Sequence, residues 1–248
     1  MAVHMKKLGA SRAYREECGE FLCDGVKLLE DAVRSGINIT AVLIASPYPY
    51  PFPLSAGTRV FRTDRVLIDS LSPLKNAQGI LFSCKIPTER GLPDPAGTHI
   101  LLDGVQDPGN VGAIIRTANA FGIDSVLLTG GCADPYNPKT VRASMGAIFR
   151  QKTISLDLSE LSEIRAGGTL IIGAGLWEDS HDIREACLGG SIIAIGSEGS
   201  GISKEILALC GARISIPIAS DCESLNAAVA AAIIIWEARR ELRSYNNF

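Results

Sequence analysis

Three short stretches of the sequence place polar or charged side chains beside glycines, at points where an apolar run ends. Asn110 and Arg116 follow one apolar run, Glu198 lies in a glycine-rich stretch after a second, and Ser224 and Asn226 follow a third. Glycines let backbone N–H and C=O groups approach a ligand closely, and open α/β sheets bind ligands at their strand ends. The pattern therefore favours a ligand-binding site assembled from three distant parts of the chain.

The first stretch predicts a strand over Ile100–Leu102, a Pro-Gly turn, and a helix that begins at Val111. Asn110 occupies the position expected of a helix N-cap, and capping alone would account for it. Arg116 lies on the helix face opposite the apolar stripe, so it is not a core residue. It is either a solvated surface residue or a group that reaches toward the strand end, with room left by Gly112.

The second stretch runs from the apolar residues Ser191–Ile195 into a glycine-rich loop and then a helix. The spacing of Gly196 and Gly201 is that of a phosphate-binding P-loop, but Ile202 stands where that motif requires lysine. The stretch also lacks the spacing of a dinucleotide-binding fingerprint. We expect Glu198 either to accept hydrogen bonds or to pair with Arg116, although a solvated charge would explain it in isolation.

The third stretch predicts a strand over Arg213–Ile216, an acidic loop, and a final helix from Asn226 to about Arg243. Either Ser224 or Asn226 is predicted to cap this helix. The helix is almost wholly apolar through Ala227–Trp236, so its first turns must be buried against the sheet or a second subunit.

Around these stretches, apolar strands alternate with helical segments, which predicts an α/β fold with a parallel sheet covered on both faces. The expected strands are His99–Leu102, Ser125–Leu128, Thr153–Leu156, Leu170–Gly173, Ile192–Ile195 and Arg213–Ile216. A proline- and glycine-rich stretch at 87–97 is typical of a linker. Before it we predict a small α/β domain with a helix over Phe21–Val33 and strands at Ala41–Ala45 and Gly79–Cys84, interrupted by the prolines of 47–53.

Composition excludes several classes of protein. With 46% hydrophobic residues the 248-residue chain can fill a substantial core. The seven scattered cysteines form no C-x-x-C pair and the three histidines fit no ligand spacing, so we expect mostly buried, reduced thiols and no metal. No run approaches the roughly 18 apolar residues of a membrane span, and we expect a cytoplasmic protein.

Charge is unevenly divided along the chain. Residues 1–90 contain 12 Lys and Arg against 9 Asp and Glu, whereas residues 91–248 contain 12 against 18. Any contact with nucleic acid should therefore depend mainly on the first segment and on local patches. Lys6, Lys7, Arg12 and Arg15 would fit an RNA-contacting arm, although a frayed, solvated terminus is the simpler interpretation.

Taken together, Asn110–Ala118, Ile195–Gly201 and the pair Ile216-Pro217 with Glu223–Asn226 resemble the three motifs of the SpoU (TrmH-type) branch of the SPOUT RNA methyltransferases. The resemblance covers roughly residues 98–243, and three ordered motifs are far more specific than any one. The first segment is similar to the substrate-binding domain of the family's ribosomal-RNA members. We therefore predict an RNA substrate-binding domain at 1–88, a linker at 89–97 and a SPOUT methyltransferase catalytic domain at 98–248.

The resemblance implies a trefoil knot, a homodimer, bound S-adenosylmethionine and methylation of a ribose 2′-hydroxyl, with a guanosine of large-subunit ribosomal RNA as the favoured target. It implies catalytic roles for Arg116, Asn110, Glu198, Ser224 and Asn226. The implied cofactor-binding residues are Gly175, Gly196, Ile216, Leu225, Ile195 and Gly199, with Trp177 and Asp179 at the rim. Because a guanidinium keeps its proton, we expect Arg116 to stabilise the alkoxide and hold phosphate; a role as base is the alternative.

Two other functions fit the same sequence. One is 2′-O-methylation of transfer RNA, and the other is a non-catalytic RNA-binding factor of the same fold. The presence of Arg116, Glu198 and Asn226 argues against the second, since an inactive protein has no need of them. An added α/β module that recognises a folded RNA by shape favours ribosomal RNA over transfer RNA.

Overall fold

A computed structural model describes residues 1–46, 53–73, 77–88 and 91–240 of the chain. Contacts divide the chain into two compact units. The first comprises Met1–Glu89 together with Asp134–Arg150, and the second comprises Arg90–Ala133 together with Gln151–Phe248. The predicted interruption at the prolines of 47–53 lies outside the described residues up to position 52. The predicted end of the last helix beyond Arg240 also lies outside them.

The helices and strands are numbered in chain order. They are α1 (Ala2–Ala10), α2 (Arg12–Cys18), β1 (Glu20–Asp24), α3 (Val26–Ser35), β2 (Ile39–Ala45), β3 (Arg59–Thr63), α4 (Arg65–Leu71), β4 (Ile80–Lys85), β5 (His99–Asp103), α5 (Pro108–Phe121), β6 (Ser125–Leu128), α6 (Pro138–Ala143), β7 (Thr153–Ser155), α7 (Leu158–Ala166), β8 (Leu170–Ala174), β9 (His181–Asp182), β10 (Ser191–Gly196), α8 (Lys204–Leu209), β11 (Ala212–Ser215) and α9 (Ala227–Ala238).

The first unit is built on a four-stranded sheet in the order β1-β4-β2-β3. Strands β1 and β2 run antiparallel to β4, and β3 is parallel to β2. Met5 and Leu8 of α1 and Ile68 of α4 are buried in one apolar cluster with Leu22 and Leu43 of the sheet. The predicted strands at 41–45 and 79–84 are confirmed within two residues at each end.

The predicted helix over Phe21–Val33 is wrong in its first part. Glu20–Asp24 is a strand whose five residues are all buried, and the helix begins only at Val26. Gly25 separates them with φ 122°, a conformation that L side chains rarely adopt. A short apolar run buried on both faces has no period that distinguishes a strand from a helix, which explains the error.

The segment Asp134–Arg150 is packed into the first unit although it lies between two strands of the second. Arg15, which is 3% exposed, donates from Nε and Nη2 to Asp134 Oδ2 at 2.9 and 2.6 Å. The ring of Phe21 lies 4.9 Å from that of Tyr136 and 6.2 Å from that of Phe149. Arg15 is therefore a buried structural residue in a regular helix, which corrects the expectation of a frayed terminus.

The second unit is built on a seven-stranded sheet in the order β7-β6-β5-β10-β8-β11-β9. Every neighbouring pair in it is parallel. The six predicted strands are confirmed within one residue at each end, and the short β9 was not predicted. The predicted α/β class with a mostly parallel, helix-flanked sheet is confirmed.

All seven cysteines are free thiols, and three of them, Cys23, Cys84 and Cys132, are buried. Burial raises the pKa of Cys210 to about 11, so this thiol stays protonated at neutral pH. Cys187 and Cys222 are exposed, so the expectation of mostly buried thiols is met only in part. Within the described ranges, no helix is long and apolar enough to cross a membrane.

Candidate active site

The three predicted stretches meet at one edge of the seven-stranded sheet. Strands β5 and β10 are parallel neighbours, with Ile195 paired to Leu102 and Gly196 to Asp103. Their carboxyl ends therefore lie side by side, and α5 and the glycine-rich loop start from the same place. Strand β11, which precedes α9, runs parallel to them on the other side of β8.

A hydrogen-bonded cluster joins one residue from each stretch. Glu198 Oε1 accepts hydrogen bonds from Asn110 Nδ2, from Asn226 Nδ2 at 3.3 Å and from the backbone N of Ala227 at 3.4 Å. Asn226 Nδ2 also donates to Asn110 Oδ1 at 3.2 Å. Of the two expectations for Glu198, the one realised is therefore that of a hydrogen-bond acceptor.

Helix caps determine which atoms of the two asparagines face this cluster. Asp107, not Asn110, caps α5, because its carboxylate accepts a hydrogen bond from the backbone N of Asn110 at 2.9 Å. The helix begins at Pro108 and not at Val111, which corrects the prediction and leaves the Asn110 side chain available to Glu198. Asn226 caps α9, with Oδ1 accepting from the backbone N of Ala228 at 3.0 Å and of Val229 at 3.3 Å.

Arg116 is not part of the cluster. Its side chain is exposed on α5, and within the described part of the chain its guanidinium makes no hydrogen bond or ion pair. Arg116 follows Asn110 by six residues, which places the two side chains on different sides of the helix. The predicted pairing of Arg116 with Glu198 is absent from the described structure, and the guanidinium is available to another molecule.

The glycine-rich loop folds tightly against the end of its own strand. Ser197 and Gly201 exchange backbone hydrogen bonds, with N···O distances of 3.2 and 2.9 Å. A Cβ atom added to Gly196 would lie 2.0 Å from the carbonyl carbon of Gly201, so any side chain there would collide with backbone. Gly201 itself has φ +66°, which also favours glycine.

Asp103, at the end of β5, binds the backbone at the end of this loop and was not among the site residues predicted from the sequence. The side chain is 8% exposed, and its Oδ2 accepts a hydrogen bond from the backbone N of Ser203 at 2.7 Å. Oδ1 accepts from Thr129 Oγ1 at 2.9 Å. The available signal was an acidic residue directly after the apolar run Ile100–Leu102, where a buried carboxylate must find donors.

A cavity of about 230 Å³ opens between the loop, the end of β8 and the segment before α9. Most of its wall is apolar or glycine. The lining residues are Ala174, Gly175, Leu176, Ile195, Gly196, Ser197, Glu198, Gly201, Ile214, Ile216, Ile218, Glu223, Ser224, Leu225, Ala227, Ala230 and Ile234.

Five of the six predicted cofactor-binding residues line this cavity: Gly175, Gly196, Ile195, Ile216 and Leu225. Gly199 is not among the lining residues, although it belongs to the same loop. Of the predicted catalytic residues, Glu198 and Ser224 line the cavity, and Asn110 and Asn226 are bonded to Glu198. In the described structure the Ser224 hydroxyl makes no hydrogen bond, whereas its carbonyl accepts one from Cys222 Sγ at 3.4 Å.

The two predicted rim residues lie just outside the cavity lining. A Cβ atom added to Gly175 would lie 2.6 Å from the ring of Trp177, so the indole packs over that glycine. The guanidinium of Arg213 lies 5.6 Å from the centre of the same ring and 2.6 Å from Asp179 Oδ2. This arginine lowers the pKa of Asp179 and keeps its carboxyl ionised.

The chemistry of the site is that of hydrogen bonds and an apolar ligand surface. Across the residues that the structure describes, no three His, Cys, Asp or Glu side chains come together as a metal-binding group. Asn110, Glu198 and Asn226 orient one another, and the cavity beside Glu198 can take a small, partly polar molecule.

Comparison with known proteins decides the family. A family model described as the SpoU rRNA Methylase family matches residues 97–236, which is more than half of the chain. The chain belongs to the SpoU rRNA methylase family. A second model, the MRM3-like substrate binding domain, matches residues 4–81. The resemblance carried by the three motifs is thereby confirmed, and so is the separate similarity of the first segment to a substrate-binding domain.

Curated relatives of this SpoU-family protein include the 23S rRNA (guanosine(2553)-2′-O)-methyltransferase RlmP of Bacillus subtilis. It is 31% identical over 236 residues, which is 94% of either chain. The 23S rRNA (uridine(2479)-2′-O)-methyltransferase of Streptomyces viridochromogenes is 30% identical over 93% of this chain and 86% of its own. The similarity therefore extends over both units and not over the catalytic motifs alone.

Solved structures of rRNA methyltransferases share the fold over nearly the whole chain. The SpoU methyltransferase AviRb of Streptomyces viridochromogenes, in complex with AdoMet, superposes with a TM-score of 0.84 at 27% identity and covers 99% of this chain and 98% of its own. The AdoMet-bound rRNA methyltransferase of Sinorhizobium meliloti gives a TM-score of 0.85 at 28% identity, with 97% and 94% covered.

Proposed function

We propose that this SpoU-family protein transfers a methyl group from S-adenosylmethionine to a ribose 2′-hydroxyl of ribosomal RNA. A guanosine of the large-subunit RNA is the favoured target, as in the Bacillus subtilis relative. The observation that carries the proposal is the cavity whose wall includes Glu198, the residue that also holds Asn110 and Asn226. Ligand surface and polar cluster thus share one residue.

The cavity residues fit this methyl donor. Ile195, Ile216 and Leu225 provide apolar surface for a flat purine ring, and the bare backbone at Gly175 and Gly196 allows close approach to its polar edge. The bound donor would supply an electrophilic methyl group on a positively charged sulfur. An apolar wall that limits water favours a transfer in which charge is neutralised.

The polar cluster positions the reacting hydroxyl in this proposal. Glu198 and Asn226 hold the amide of Asn110, so its remaining N–H is preorganised, and Ser224 has a free hydroxyl on the cavity wall. None of these groups needs to change its protonation state to act. They contribute by orienting the ribose so that its 2′-hydroxyl faces the methyl group.

Arg116 is proposed to hold an RNA phosphate and to stabilise the 2′-oxygen as its proton leaves. The free guanidinium on α5 supports this role, because its charge and all of its donors are available to RNA. Replacing Arg116 by Ala should abolish turnover while S-adenosylmethionine binding, measured by calorimetry, stays within about twofold of wild type. Loss of cofactor binding would reassign Arg116 to the cofactor site.

The first segment, residues 1–88, is proposed to bind the RNA, and residues 98–248 to carry out the chemistry. The match to a substrate binding domain over residues 4–81 supports this division. Strand β3 adds further support, since it exposes Arg59 and Phe61, side chains that contact phosphates and stack on bases. A cytoplasmic location is proposed with it, because the two bacterial relatives modify 23S rRNA.

A homodimer is proposed to cover one face of α9. Val229, Ile233 and Trp236 recur at helical spacing and are 49%, 37% and 48% exposed. Exposed apolar residues aligned on one helix are typical of an interface. The trefoil knot implied by the family resemblance is likewise a proposal.

The experiment that tests the function is methyl transfer to total RNA separated into ribosomal and transfer fractions. Labelled S-adenosylmethionine should mark the large-subunit ribosomal RNA. Label confined to transfer RNA would replace the proposed substrate with the rival one. Failure to bind S-adenosylmethionine at millimolar concentration would instead favour a non-catalytic RNA-binding factor.

A further inference from the structure

The ionisable side chains on the cavity wall are all of one sign. Of the lining residues, only Glu198 and Glu223 are ionisable, and both are acids. The described lining includes no lysine, arginine or histidine. An empty cavity with this wall presents negative potential to whatever enters it, and an apolar surround weakens that potential less than bulk water would.

The two carboxylates differ in their surroundings. Glu198 Oε1 accepts three hydrogen bonds from Asn110, Asn226 and the backbone of Ala227, so part of its charge is compensated. Glu223 is exposed, and in the described part of the chain it makes no hydrogen bond and no ion pair. Glu223 therefore contributes the uncompensated negative charge on the wall.

The methyl donor and the thioether that remains after transfer differ in one methyl group and in the charge on sulfur. During transfer the bond between sulfur and the methyl carbon breaks with both electrons left on sulfur, a bond from the ribose oxygen to that carbon forms, and the hydroxyl proton passes to water. A sulfonium cation thereby becomes a neutral thioether. The purine, the ribose, the ammonium and the carboxylate of the donor are otherwise unchanged.

We propose that Glu223, together with Glu198, makes this cavity selective for the charged sulfonium donor over its neutral thioether product. This proposal rests on the proposed function, because it presumes that the cavity takes S-adenosylmethionine. Glu223 acts as a specificity-determining residue. Its charge attracts the cation before transfer and offers nothing comparable to the thioether afterwards, which favours exchange of product for fresh donor.

A plain solvated carboxylate is the competing interpretation, and the chain offers a matched control. Asp221 lies two residues before Glu223 in the same loop, is exposed, and is not among the cavity-lining residues. If general negative charge near the loop were sufficient, neutralising Asp221 would act as strongly as neutralising Glu223. If position on the wall matters, only Glu223 should change the selectivity.

The test is calorimetry on the full chain with three ligands. These are S-adenosylmethionine, S-adenosylhomocysteine and sinefungin. S-adenosylhomocysteine is the neutral thioether, and in sinefungin a carbon that bears a protonated amine replaces the sulfonium group. In Glu223→Gln we expect binding of both cationic ligands to weaken roughly three- to tenfold, the range for a partly exposed charge pair. Binding of S-adenosylhomocysteine should stay within about twofold, which also shows that the variant is folded.

Asp221→Asn should leave all three affinities within about twofold, since its charge is exposed and off the wall. In the wild type the preference for S-adenosylmethionine should shrink as salt rises from about 50 mM to about 500 mM, because salt screens exposed charges. Equal weakening of all three ligands in Glu223→Gln, or no change in any, would overturn the proposal. Absence of binding by all three ligands in the wild type would instead overturn the proposed function.

Discussion

Asn226 performs two tasks through opposite ends of one amide. Its Oδ1 accepts two backbone hydrogen bonds and caps α9, while its Nδ2 donates to Glu198 and Asn110. A structural role and a site role therefore coexist in one side chain. The sequence predicted either Ser224 or Asn226 as the cap of the last helix, and Asn226 is the residue that caps α9.

Serine separates these two tasks, because it caps helices about as well as asparagine but has no Nδ2 donor. We expect Asn226→Ser to keep the unfolding free energy within about 0.5 kcal/mol of wild type and to lower methyl transfer at least about tenfold. Asn226→Ala should lose the same activity and in addition about 1 kcal/mol of stability. Urea unfolding and a methylation assay measure the two effects. Full activity in Asn226→Ser would show that the Nδ2 contacts do not matter.

Glu20 in the first unit should make the free energy of unfolding depend on pH in the acidic range. Burial opposes its ionisation, but bonds from Lys85, His4 and Thr40 outweigh burial and hold the pKa of Glu20 below its ordinary value of 4.5. Because the folded state binds this proton more weakly than the unfolded state, the ionised carboxylate stabilises the fold at neutral pH. That contribution is complete above pH 4.5 and disappears as pH falls through the lowered pKa.

We therefore expect the urea midpoint of the wild type to fall below about pH 4.5 more steeply than that of Glu20→Gln. At neutral pH the variant should lose no more than about 1 kcal/mol, since part of the site is exposed to solvent and screened. Parallel pH profiles for the two proteins would contradict the role assigned to Glu20.

Among the elements, the glycine-rich loop after β10 depends most strictly on the absence of side chains. A methyl group on Gly196 would meet the Gly201 backbone at 2.0 Å, whereas one on Gly199 would meet nothing within 4 Å. The two glycines lie three residues apart in the same loop, so they form a matched pair. Their different environments follow from the fold and are not visible in the sequence.

We expect Gly196→Ala to lower stability by roughly 2 kcal/mol or more and to abolish S-adenosylmethionine binding, because backbone must move to admit the methyl group. Gly199→Ala should change stability by less than about 1 kcal/mol. Thermal unfolding and calorimetry report the outcomes. Weakened cofactor affinity in Gly199→Ala would support the predicted contact at Gly199; normal binding in Gly196→Ala would refute the close-packed loop.

Most strands were predictable from sequence because an apolar run bounded by glycines and polar residues is a local signal. Phe21–Asp24 was misassigned although Gly25 separates it from α3, because a short apolar run buried on both faces has no period that distinguishes a strand from a helix. Asn110, Glu198 and Asn226 of the polar cluster were predictable because each follows a strand, whereas Arg116, predicted as a possible partner of Glu198, lies outside the cluster. The cap at Asp107 and the buried support by Asp103 depend on tertiary geometry, which residue spacing does not encode.

On the scale of the whole molecule, the compact units do not follow sequence order. Asp134–Arg150 belongs to the first unit through the buried Arg15–Asp134 pair and the aromatic contacts of Phe21. The domains proposed from the sequence, 1–88 and 98–248, are contiguous, because they were divided at one linker-like stretch of the chain. A contact between residues more than 100 positions apart leaves no trace in local composition.

Association of two copies is the prediction that belongs to the whole molecule. The ring of Trp236 packs edge-on against Phe121 at 5.6 Å and is 48% exposed, so a charge placed there would disrupt an interface without removing a core side chain. Sedimentation should give a dimer for the wild type and predominantly monomer for Trp236→Glu. Val66→Glu, at a residue that is 77% exposed in the first unit, is the control and should remain dimeric.

The central claim is that the site beside Glu198 directs a methyl group to a ribose oxygen and not to a base. Its most direct test is mass spectrometry of nucleosides from large-subunit ribosomal RNA treated with the protein and labelled S-adenosylmethionine. We predict one labelled nucleoside, 2′-O-methylguanosine, from the wild type and none from Arg116→Ala or Asn226→Ser above a tenth of that level. Label on a nucleobase, or full labelling by Arg116→Ala, would contradict the account.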